Sequence, residues 1–137
     1  MNRFETAINN GNWDAFDELL TDDFQRHCMA TPDAIIESRD AFKQLQMGFL
    51  ESMPNQRIDT EFLVAEGDKV AAYSTYSGTL TGPMGDIPAT GKSAAVTFMT
   101  IFRIEEGRIA EIWVEWDNIA MLSQLGLFPP PAPPVEN

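Results

Sequence analysis

The chain has 137 residues, of which 44% are hydrophobic and 22% charged, and this composition predicts one globular domain rather than a disordered segment. The net charge is −12 and the 9 basic residues form no cluster, which argues against nucleic-acid binding because a phosphate backbone would be repelled. No uncharged apolar run reaches the roughly 18 residues of a membrane helix, and a single cysteine, Cys28, excludes an internal disulfide and a zinc-type cysteine motif.

The ends of the chain give two further expectations. Residues 1–5 lack the apolar core of a signal peptide, and we expect a cytoplasmic protein. Residues 1–128 are predicted to form a single domain. Residues 129–137 are predicted to be an extended proline-rich tail, because consecutive prolines fit neither a helix nor a central strand.

The first half of the chain predicts three helices and a short strand. Apolar residues at helical spacing indicate two short helices within the first twenty residues, and Thr21–Asp23 is expected to end them. Residues 24–29 are predicted to form a short strand that carries His27. A third helix is predicted from its N-cap Ser38 to Pro54, which cannot continue it.

The second half changes to a period of two, which is typical of strands. Strands are predicted at residues 58–64, 69–80, 92–104 and 109–116, and residues 81–91 are predicted to be a loop. A short helix is predicted at 118–125, followed by Gly126. Helices followed by meandering strands predict an α+β fold, a curved and mostly antiparallel sheet with N-terminal helices on its concave face.

The pairing of the last two strands decides which side chains point inward. A two-residue turn at 106–107 would place Glu111 and Glu115 among aromatic rings, whereas a three-residue loop at 105–107 with a bulged Gly107 shifts the pairing by one residue. Since burying an unpaired polar group costs about 2–7 kcal/mol, we predict the three-residue loop. The predicted inward residues are then Val96, Phe98, Thr100 and Phe102, opposite Trp116, Val114, Ile112 and Ala110.

The preceding strand is predicted to extend this inward face with Val70, Ala72, Ser74 and Tyr76. An apolar concavity with hydroxyl and phenol groups suits a ligand that carries a carbonyl or phenol group. A solid core with satisfied hydroxyls is the alternative, and the residues leave both open.

The opposite face of the sheet is predicted to carry apolar residues as well, among them Met99, Ile101, Ile109 and Trp113. A sheet with helices on one side exposes its other side to water, so this apolar content needs a partner. We expect a homodimer that forms through this face.

Several short segments together resemble a known family. They are Asn12-Trp13-Asp14-Ala15, then residues 78–82 (GTLTG), 87–92 (IPATGK), 102–109 (FRIEEGRI) and 124–126 (QLG). In this order they span nearly the whole chain before the proline-rich tail, and the chain resembles the SnoaL-like polyketide cyclases of the nuclear transport factor two-like superfamily. The resemblance implies a cone-shaped α+β barrel with a ligand in its open end, acid–base chemistry without a metal or cofactor, and frequent homo-oligomers.

The resemblance also implies that the family's catalytic pair is replaced here. Counting from the final hairpin and from residues 124–126 places the family's histidine at Thr100 and its aspartate at Val114, and neither residue can transfer a proton at neutral pH. His27, the only imidazole, and Asp117, at the end of the last strand, are the remaining candidate catalytic residues. Their alternatives are a hydrogen bond to backbone for His27 and the N-cap of the final helix for Asp117.

The predicted ligand-contacting residues come from three strands and one loop: Tyr76, Met84, Phe98, Thr100, Val114 and Trp116. Ordinary packing is the alternative for each. Three functions stay open: an enzyme that moves protons on a mid-sized apolar carbonyl compound, a module that only binds such a compound, and an interaction protein that uses its acidic surface or its tail. The chain has no serine-nucleophile elbow, phosphate loop, dinucleotide motif or metal-ligand spacing.

Overall fold

The computed structural model describes residues 2–32, 34–84 and 87–128, so the proline-rich segment lies outside the described residues. The helices are α1 (Asn2–Asn10), α2 (Phe16–Leu19), α3 (Arg39–Ser52) and α4 (Asn118–Gln124), with a 3-10 turn at Trp13–Ala15. The strands are β1 (Leu20–His27), β2 (Arg57–Glu66), β3 (Lys69–Thr79), β4 (Ser93–Glu105) and β5 (Arg108–Trp116). Within the described ranges, every helix is too short or too polar to cross a bilayer.

The five strands form one sheet in the order β1-β5-β4-β3-β2. All neighbouring pairs are antiparallel except β1 and β5, which run parallel. The strands β1 and β2 lie at the two edges, so the sheet is not closed. The predicted α+β fold with a mostly antiparallel sheet and N-terminal helices is therefore confirmed.

Two predicted helix starts have the expected caps. The hydroxyl of Ser38 accepts a hydrogen bond from the backbone N–H of Ala41 at 3.1 Å, at the start of α3. The carboxylate of Asp117 accepts one from Ala120 at 3.0 Å, at the start of α4. Each bond satisfies a backbone donor that has no partner inside the helix. The structural alternative for Asp117 is thus the one observed.

The first strand begins earlier than predicted. Thr21–Asp23, expected to end the helix pair, lie inside β1, which starts at Leu20. Leu20 is fully buried and pairs with Ile109 of β5. Because pairing and burial at this site outweigh the turn preference of the aspartates, the prediction for these residues was wrong.

The predicted inward face of the last two strands is present, but each inward residue of β4 pairs two positions further along β5 than the three-residue loop predicted. Phe98 pairs with Trp116, Thr100 with Val114, and Phe102 with Ile112. The carboxylates of Glu111 and Glu115 consequently lie on the opposite face, as the desolvation argument required. The same alternation in β3 places Ala72, Ser74 and Tyr76 beside Thr100, Phe98 and Val96, on the inward face.

The loop behind this pairing differs from the prediction. Glu105 pairs with Arg108, so the turn contains two residues, and Glu106 and Gly107 have φ angles of 50° and 80°. Two successive positive φ angles are typical of a type I′ turn. The register shift occurs further along, between Arg103 and Ile104, where two residues of β4 face three of β5.

This bulge also corrects the predicted position of Ile109. Ile109 was expected on the outer face, but it pairs with Ile104, is 6% exposed and belongs to the main core. The extra residue in β5 is Ala110, which reverses the alternation on its N-terminal side. Ile109 therefore stabilises the core and is not part of a dimer surface.

Helices α1 and α3 pack on the inward face of the sheet. Their contact is a group of aromatic rings in which Phe4, Phe16 and Phe42 lie 5.5–6.2 Å apart, and Phe4 meets Phe102 of β4 edge to face at 5.4 Å. A second apolar cluster, centred on Leu80 and Leu125, holds α4 against the other end of the sheet. A cavity lies between these two clusters.

Candidate functional site

The cavity between the sheet and helices α1, α3 and α4 has a volume of about 270 Å³. An apolar cavity of about 150 Å³ is enough to admit one benzene molecule, so this space suits a ligand with more than one ring. The alternative of a solid core does not hold. All six residues predicted to contact a ligand line this cavity: Tyr76, Met84, Phe98, Thr100, Val114 and Trp116.

Most of the wall is hydrocarbon. The helices contribute Phe4, Ile8, Phe42 and Phe49, and the far end is formed by Met121 and Leu122. Six residues with polar side chains interrupt this surface: Arg26, Thr31, Gln46, Tyr76, Thr100 and Asn118. An apolar wall with a few polar groups is typical of sites that bind small organic molecules.

The phenol proton of Tyr76 is used in a hydrogen bond within the protein. Its phenol donates a hydrogen bond to Oε1 of Gln56 at 2.7 Å. Burial raises the pKa of Tyr76 well above its usual value, so the phenol stays neutral. The Tyr76 oxygen can therefore accept a hydrogen bond from a ligand, but its proton is not free to polarise a ligand carbonyl.

Gln46 and Thr100 are the neutral polar groups that remain available. They are 8% and 5% exposed, and both line the cavity. No hydrogen bond joins either side chain to another residue in the described part of the chain. Because a buried polar group is costly without a partner, the amide and the hydroxyl are suited to hold oxygen atoms of a bound molecule.

Arg26 is the charged residue among the polar cavity residues that were not predicted from the sequence. It is 7% exposed, and its Nη1 donates a hydrogen bond to the hydroxyl of Thr31 at 3.0 Å. Its guanidinium carbon lies 5.9 Å from the ring centre of Trp116. Burial lowers the pKa of Arg26, while its contact with Cys28 and the charge of Glu115 partly oppose that effect; an arginine nevertheless stays protonated in proteins.

Asn118 fixes the side chain that stacks over this cation. Its Oδ1 accepts a hydrogen bond from Nε1 of Trp116 at 3.2 Å, and its Nδ2 donates to the carbonyl of Ala30 at 3.3 Å. These two bonds join the end of β5 to the segment that follows β1. Trp116 is thereby held in one orientation on the cavity wall.

The two predicted catalytic residues do not line the cavity. His27 points to the outer face, where its ring stacks on Trp113 with centroids 5.4 Å apart and its Nε2 lies 2.5 Å from Oε2 of Glu111. Asp117 caps α4. In the described part of the chain no hydrogen bond joins His27 to Asp117, so the two candidate catalytic residues are not paired.

Strand alternation explains why Arg26 lines the cavity and His27 does not. Phe24 is fully buried in the core, and residues two apart on a strand share a face. Arg26 therefore points inward and His27 outward, in agreement with their pairing to Ile112 and Trp113 of β5. Continuing the alternation from Phe24 would have predicted this from the sequence.

The two positions that the resemblance assigns to the family's catalytic pair do lie together. Thr100 and Val114 are directly paired across β4 and β5, and both line the cavity. Among the described lining residues there is neither a carboxylate nor an imidazole. The described residues also contain no group of three or more potential histidine, cysteine or carboxylate ligands for a metal ion.

The outer face carries an exposed apolar surface on the central strands. Met99 and Ile101 of β4 are 61% and 42% exposed. On β2, Phe62 and Val64 are also exposed, and the ring of Phe62 stacks on that of Tyr73 at 5.3 Å. Trp113, predicted to belong to this surface, is partly covered by His27.

Comparison with known proteins gives one family and many structures of the same fold. The profile of the SnoaL-like polyketide cyclase family matches residues 1–125. No curated protein sequence matches the chain. TsrD from Streptomyces laurentii is 29% identical with a TM-score of 0.81, over 92% of this chain and 91% of that one.

Two further structures show how widely the fold is shared. IdmH from Streptomyces antibioticus, a proposed polyketide cyclase, is 27% identical with a TM-score of 0.80, over 91% of this chain and 94% of that one. A protein of ketosteroid isomerase-like fold from Catenulispora acidiphila, bound to trimethylamine, is 18% identical with a TM-score of 0.79, over 91% and 90% of the two chains. At that identity the last likeness concerns the fold alone.

Proposed function

The chain belongs to the SnoaL-like polyketide cyclase family, and from that premise we propose that it binds a mid-sized apolar or aromatic carbonyl compound in its cavity and promotes the cyclisation or isomerisation of that compound without a cofactor. The observation that carries this proposal is the cavity itself. It has a volume of about 270 Å³, and a largely hydrocarbon wall surrounds a few polar groups.

The wall supports binding of a flat, carbonyl-bearing molecule in one orientation. Phe98 and Trp116 offer ring surfaces from neighbouring strands, and Met84 contributes an adaptable apolar side chain from the loop. The free donors of Gln46 and Thr100 can hold carbonyl oxygens. Holding a chain of carbonyl groups in a folded conformation favours ring closure, because the reacting atoms are brought together before reaction.

Charge stabilisation is the second contribution that this wall can make. Removing a proton next to a carbonyl group creates an enolate, and a fixed cation lowers the energy of that charge in a site shielded from water. Arg26 is the charged residue on the described wall. Because the described wall offers no carboxylate or imidazole, the proton would move from the carbon atom to an oxygen atom of the substrate itself.

A binding module without catalysis is the second candidate function. The observation in its favour is that the described wall offers no carboxylate or imidazole, while the resemblance places Thr100 and Val114 at the family's two proton-transfer positions. In this alternative the same cavity sequesters the compound. The two candidates share the ligand and differ only in turnover.

Binding is tested by filling the cavity. In a Val114→Trp variant the larger side chain would occupy ligand space, and we expect loss of the tryptophan fluorescence change that methyl naphthyl ketone produces in the wild type. Ile101→Trp places the same side chain on the outer face and is the matched control. Equal ketone binding by wild type and Val114→Trp would contradict a ligand site in this cavity.

Catalysis is tested separately from binding. A synthetic aromatic triketone, which can close by an intramolecular aldol reaction, is incubated with the protein and followed by NMR. Ring closure faster than in buffer, and lost in Val114→Trp, would support an enzyme. Saturable binding of the triketone at the uncatalysed rate would identify the binding module.

We further propose that two copies associate through the outer face of β4 and its neighbours. Met99 and Ile101 expose apolar surface at the centre of a sheet whose other face is already covered by helices. Removing such a patch from water is favourable, by about 25 cal/mol per Å² of apolar surface. Light scattering of the wild-type protein at micromolar concentration measures this directly, and a monomeric mass would refute it.

A further inference from the structure

Arg26 is a buried cation on the cavity wall without an acidic partner in the described part of the chain. It is 7% exposed. The ion pairs found among the described residues involve other basic residues, namely Arg3, His27, Arg39, Lys43, Arg57, Lys69 and Arg103. An arginine this deeply buried is normally paired with a carboxylate.

The groups around the guanidinium satisfy part of its hydrogen-bonding capacity but leave its charge in place. Thr31 accepts one hydrogen bond from Nη1, and the ring of Trp116 provides a cation–π contact at 5.9 Å. The side chain of Cys28 also makes a hydrogen bond with the guanidinium, and the charge of Glu115 acts on it without an ion pair. Oε1 of Glu115 accepts a hydrogen bond from the backbone N–H of Met29. Several of the five N–H donors therefore remain for another acceptor.

The charge of Arg26 also contrasts with the rest of the protein. The chain carries a net charge of −12, yet the described cavity wall holds this cation and no carboxylate. A neutral ligand would leave the desolvated guanidinium without an ion pair, with only the charge of Glu115 acting on it. An anionic oxygen would compensate it, and the planar fork of the guanidinium matches such an oxygen or oxygen pair.

We propose that Arg26 is the anion-binding residue of the cavity and that the ligand presents an ionised oxygen to it, either a carboxylate or the ionised enol of a β-dicarbonyl compound. This inference rests on the proposed function, since it assumes that the cavity holds an apolar carbonyl compound. It adds the class of that compound: a weak acid whose acidic oxygen lies beside Trp116 and Thr31, with its hydrocarbon part against the remaining wall.

The test compares probes that share a ring system and differ in charge. Naphthoate carries the carboxylate, naphthoylacetone supplies an ionisable enol, and methyl naphthyl ketone is the neutral counterpart. We expect the wild type to bind naphthoate, or naphthoylacetone at alkaline pH, about tenfold or more tightly than the ketone. The preferred anion identifies which of the two sources of the charged oxygen the site accepts.

Variants at position 26 assign this preference to the guanidinium. Arg26→Met keeps much of the volume and removes the charge, so we expect the affinity for the anion to fall about tenfold or more while the ketone affinity changes less than about twofold. Arg26→Lys should retain part of the preference. If Arg26→Met does not fold, the probe comparison on wild type, repeated at rising salt concentration, decides the question.

The outcomes separate the two proposals. If no probe binds, the proposed cavity function fails. If the ketone binds as tightly as both anions, or if Arg26→Met leaves the preference for the anion intact, the cavity function stands and the role of Arg26 fails.

A further variant, Asp33→Asn, tests a carboxylate that lies outside the described residues. A tenfold or greater gain in anion affinity in this variant would overturn the inference, because Asp33 would then already neutralise Arg26 in the wild type.

Discussion

The Nε2 atom of His27 lies 2.5 Å from Oε2 of Glu111, on the face of the sheet that points away from the cavity. The only imidazole of the chain is therefore part of a surface ion-pair network rather than of the ligand site. Oε1 of Glu111 accepts a second hydrogen bond, from Nε of Arg103 at 3.0 Å. Three charged or chargeable side chains from β1, β4 and β5 are joined in this way.

The first prediction follows from this placement. We expect His27→Gln to change the affinity for methyl naphthyl ketone by less than about twofold, because the histidine does not line the cavity. The measurement is a fluorescence titration, with the cavity-filling Val114→Trp variant as the positive control for lost binding. A loss of about tenfold or more in His27→Gln would show that the two faces of the sheet are coupled.

Strands β1 and β5 show which features of the fold and of the candidate site can be predicted from the sequence. The shared inward face of Thr100 and Val114 was predictable, because the alternative buries carboxylates and the cost of that burial is large. The alternation that begins at Phe24 also places Arg26 on the inward face and His27 on the outer face. An inward-facing arginine was nevertheless not expected. Arginines are rarely buried. The burial of Arg26 is explained only by the cavity beside it, which the sequence does not reveal.

The turn of the last hairpin and the volume of the cavity could not be predicted from the sequence, for physical reasons. Glu106 and Gly107 are compatible with either hairpin loop, and the bulge at Ala110 compensates for the turn that was not predicted. The volume of the cavity depends on how closely helices approach the sheet in three dimensions. Periodicity shows which residues face inward, as for Phe98 and Trp116, but not whether they touch one another or leave space between them.

The second prediction concerns the pH dependence of stability at Glu111. Burial alone would raise the pKa of Glu111, but the hydrogen bonds from His27 and Arg103 outweigh it and the pKa lies below its usual value of 4.5. A lowered folded-state pKa stabilises the fold above the unfolded-state value, and that stabilisation is lost as the pH falls through the folded-state value. We expect Glu111→Gln to cost about 0.5–1 kcal/mol at neutral pH and progressively less below pH 4.5.

Urea unfolding of wild type and Glu111→Gln at several pH values measures this difference. Glu66→Gln, at the exposed end of β2, removes one negative charge without disturbing the network and is the matched control. A difference between wild type and Glu111→Gln that grows on acidification would contradict the assigned direction of the pKa change.

The third prediction concerns the contact of Gly82 with the end of α3. A Cβ atom at Gly82 would lie 2.1 Å from the carbonyl oxygen of Glu51, which is far inside van der Waals contact. The backbone N–H of Gly82 also donates to the carbonyl of Ser52 at 3.0 Å. We expect Gly82→Ala to displace this loop and to cost about 1–3 kcal/mol or more of unfolding free energy.

The matched control is Gly48→Ala in α3. A Cβ at Gly48 meets no atom within 4 Å, and alanine favours a helix over glycine by about 1 kcal/mol. The two substitutions are chemically identical, so we expect thermal unfolding to show a lower Tm for Gly82→Ala and an equal or higher one for Gly48→Ala. Equal Tm values would mean that the loop adapts to the methyl group.

The fourth prediction concerns the buried pair of Tyr76 and Gln56. Gln56 is 4% exposed, and its Nε2 has no hydrogen-bond partner in the described part of the chain. Tyr76→Phe would leave its Oε1 without the phenol donor as well, and we expect a loss of about 1–3 kcal/mol. The double variant Tyr76→Phe with Gln56→Met removes both polar groups and should recover part of this loss.

The pH dependence of this pair has the opposite sign to that of Glu111. Because burial raises the pKa of Tyr76, its stabilising effect is present below the unfolded-state value of about 10 and is lost as the pH rises towards the folded-state value. The difference in unfolding free energy between wild type and Tyr76→Phe should therefore shrink at alkaline pH. A difference that increases there would mean that the phenol ionises readily in the folded protein.

The fifth prediction concerns association through the outer face. Ile101 is 42% exposed at the middle of β4, and its neighbour Met99 is 61% exposed. If two copies meet there, Ile101→Lys would bury an unpaired charge at the interface, so the variant should be monomeric by light scattering and should unfold with a lower Tm that no longer depends on protein concentration. Ile35→Lys, at a residue that is 76% exposed and lies outside the strands, adds the same charge elsewhere and should leave the mass unchanged. An unchanged dimer in Ile101→Lys would place the interface on another surface.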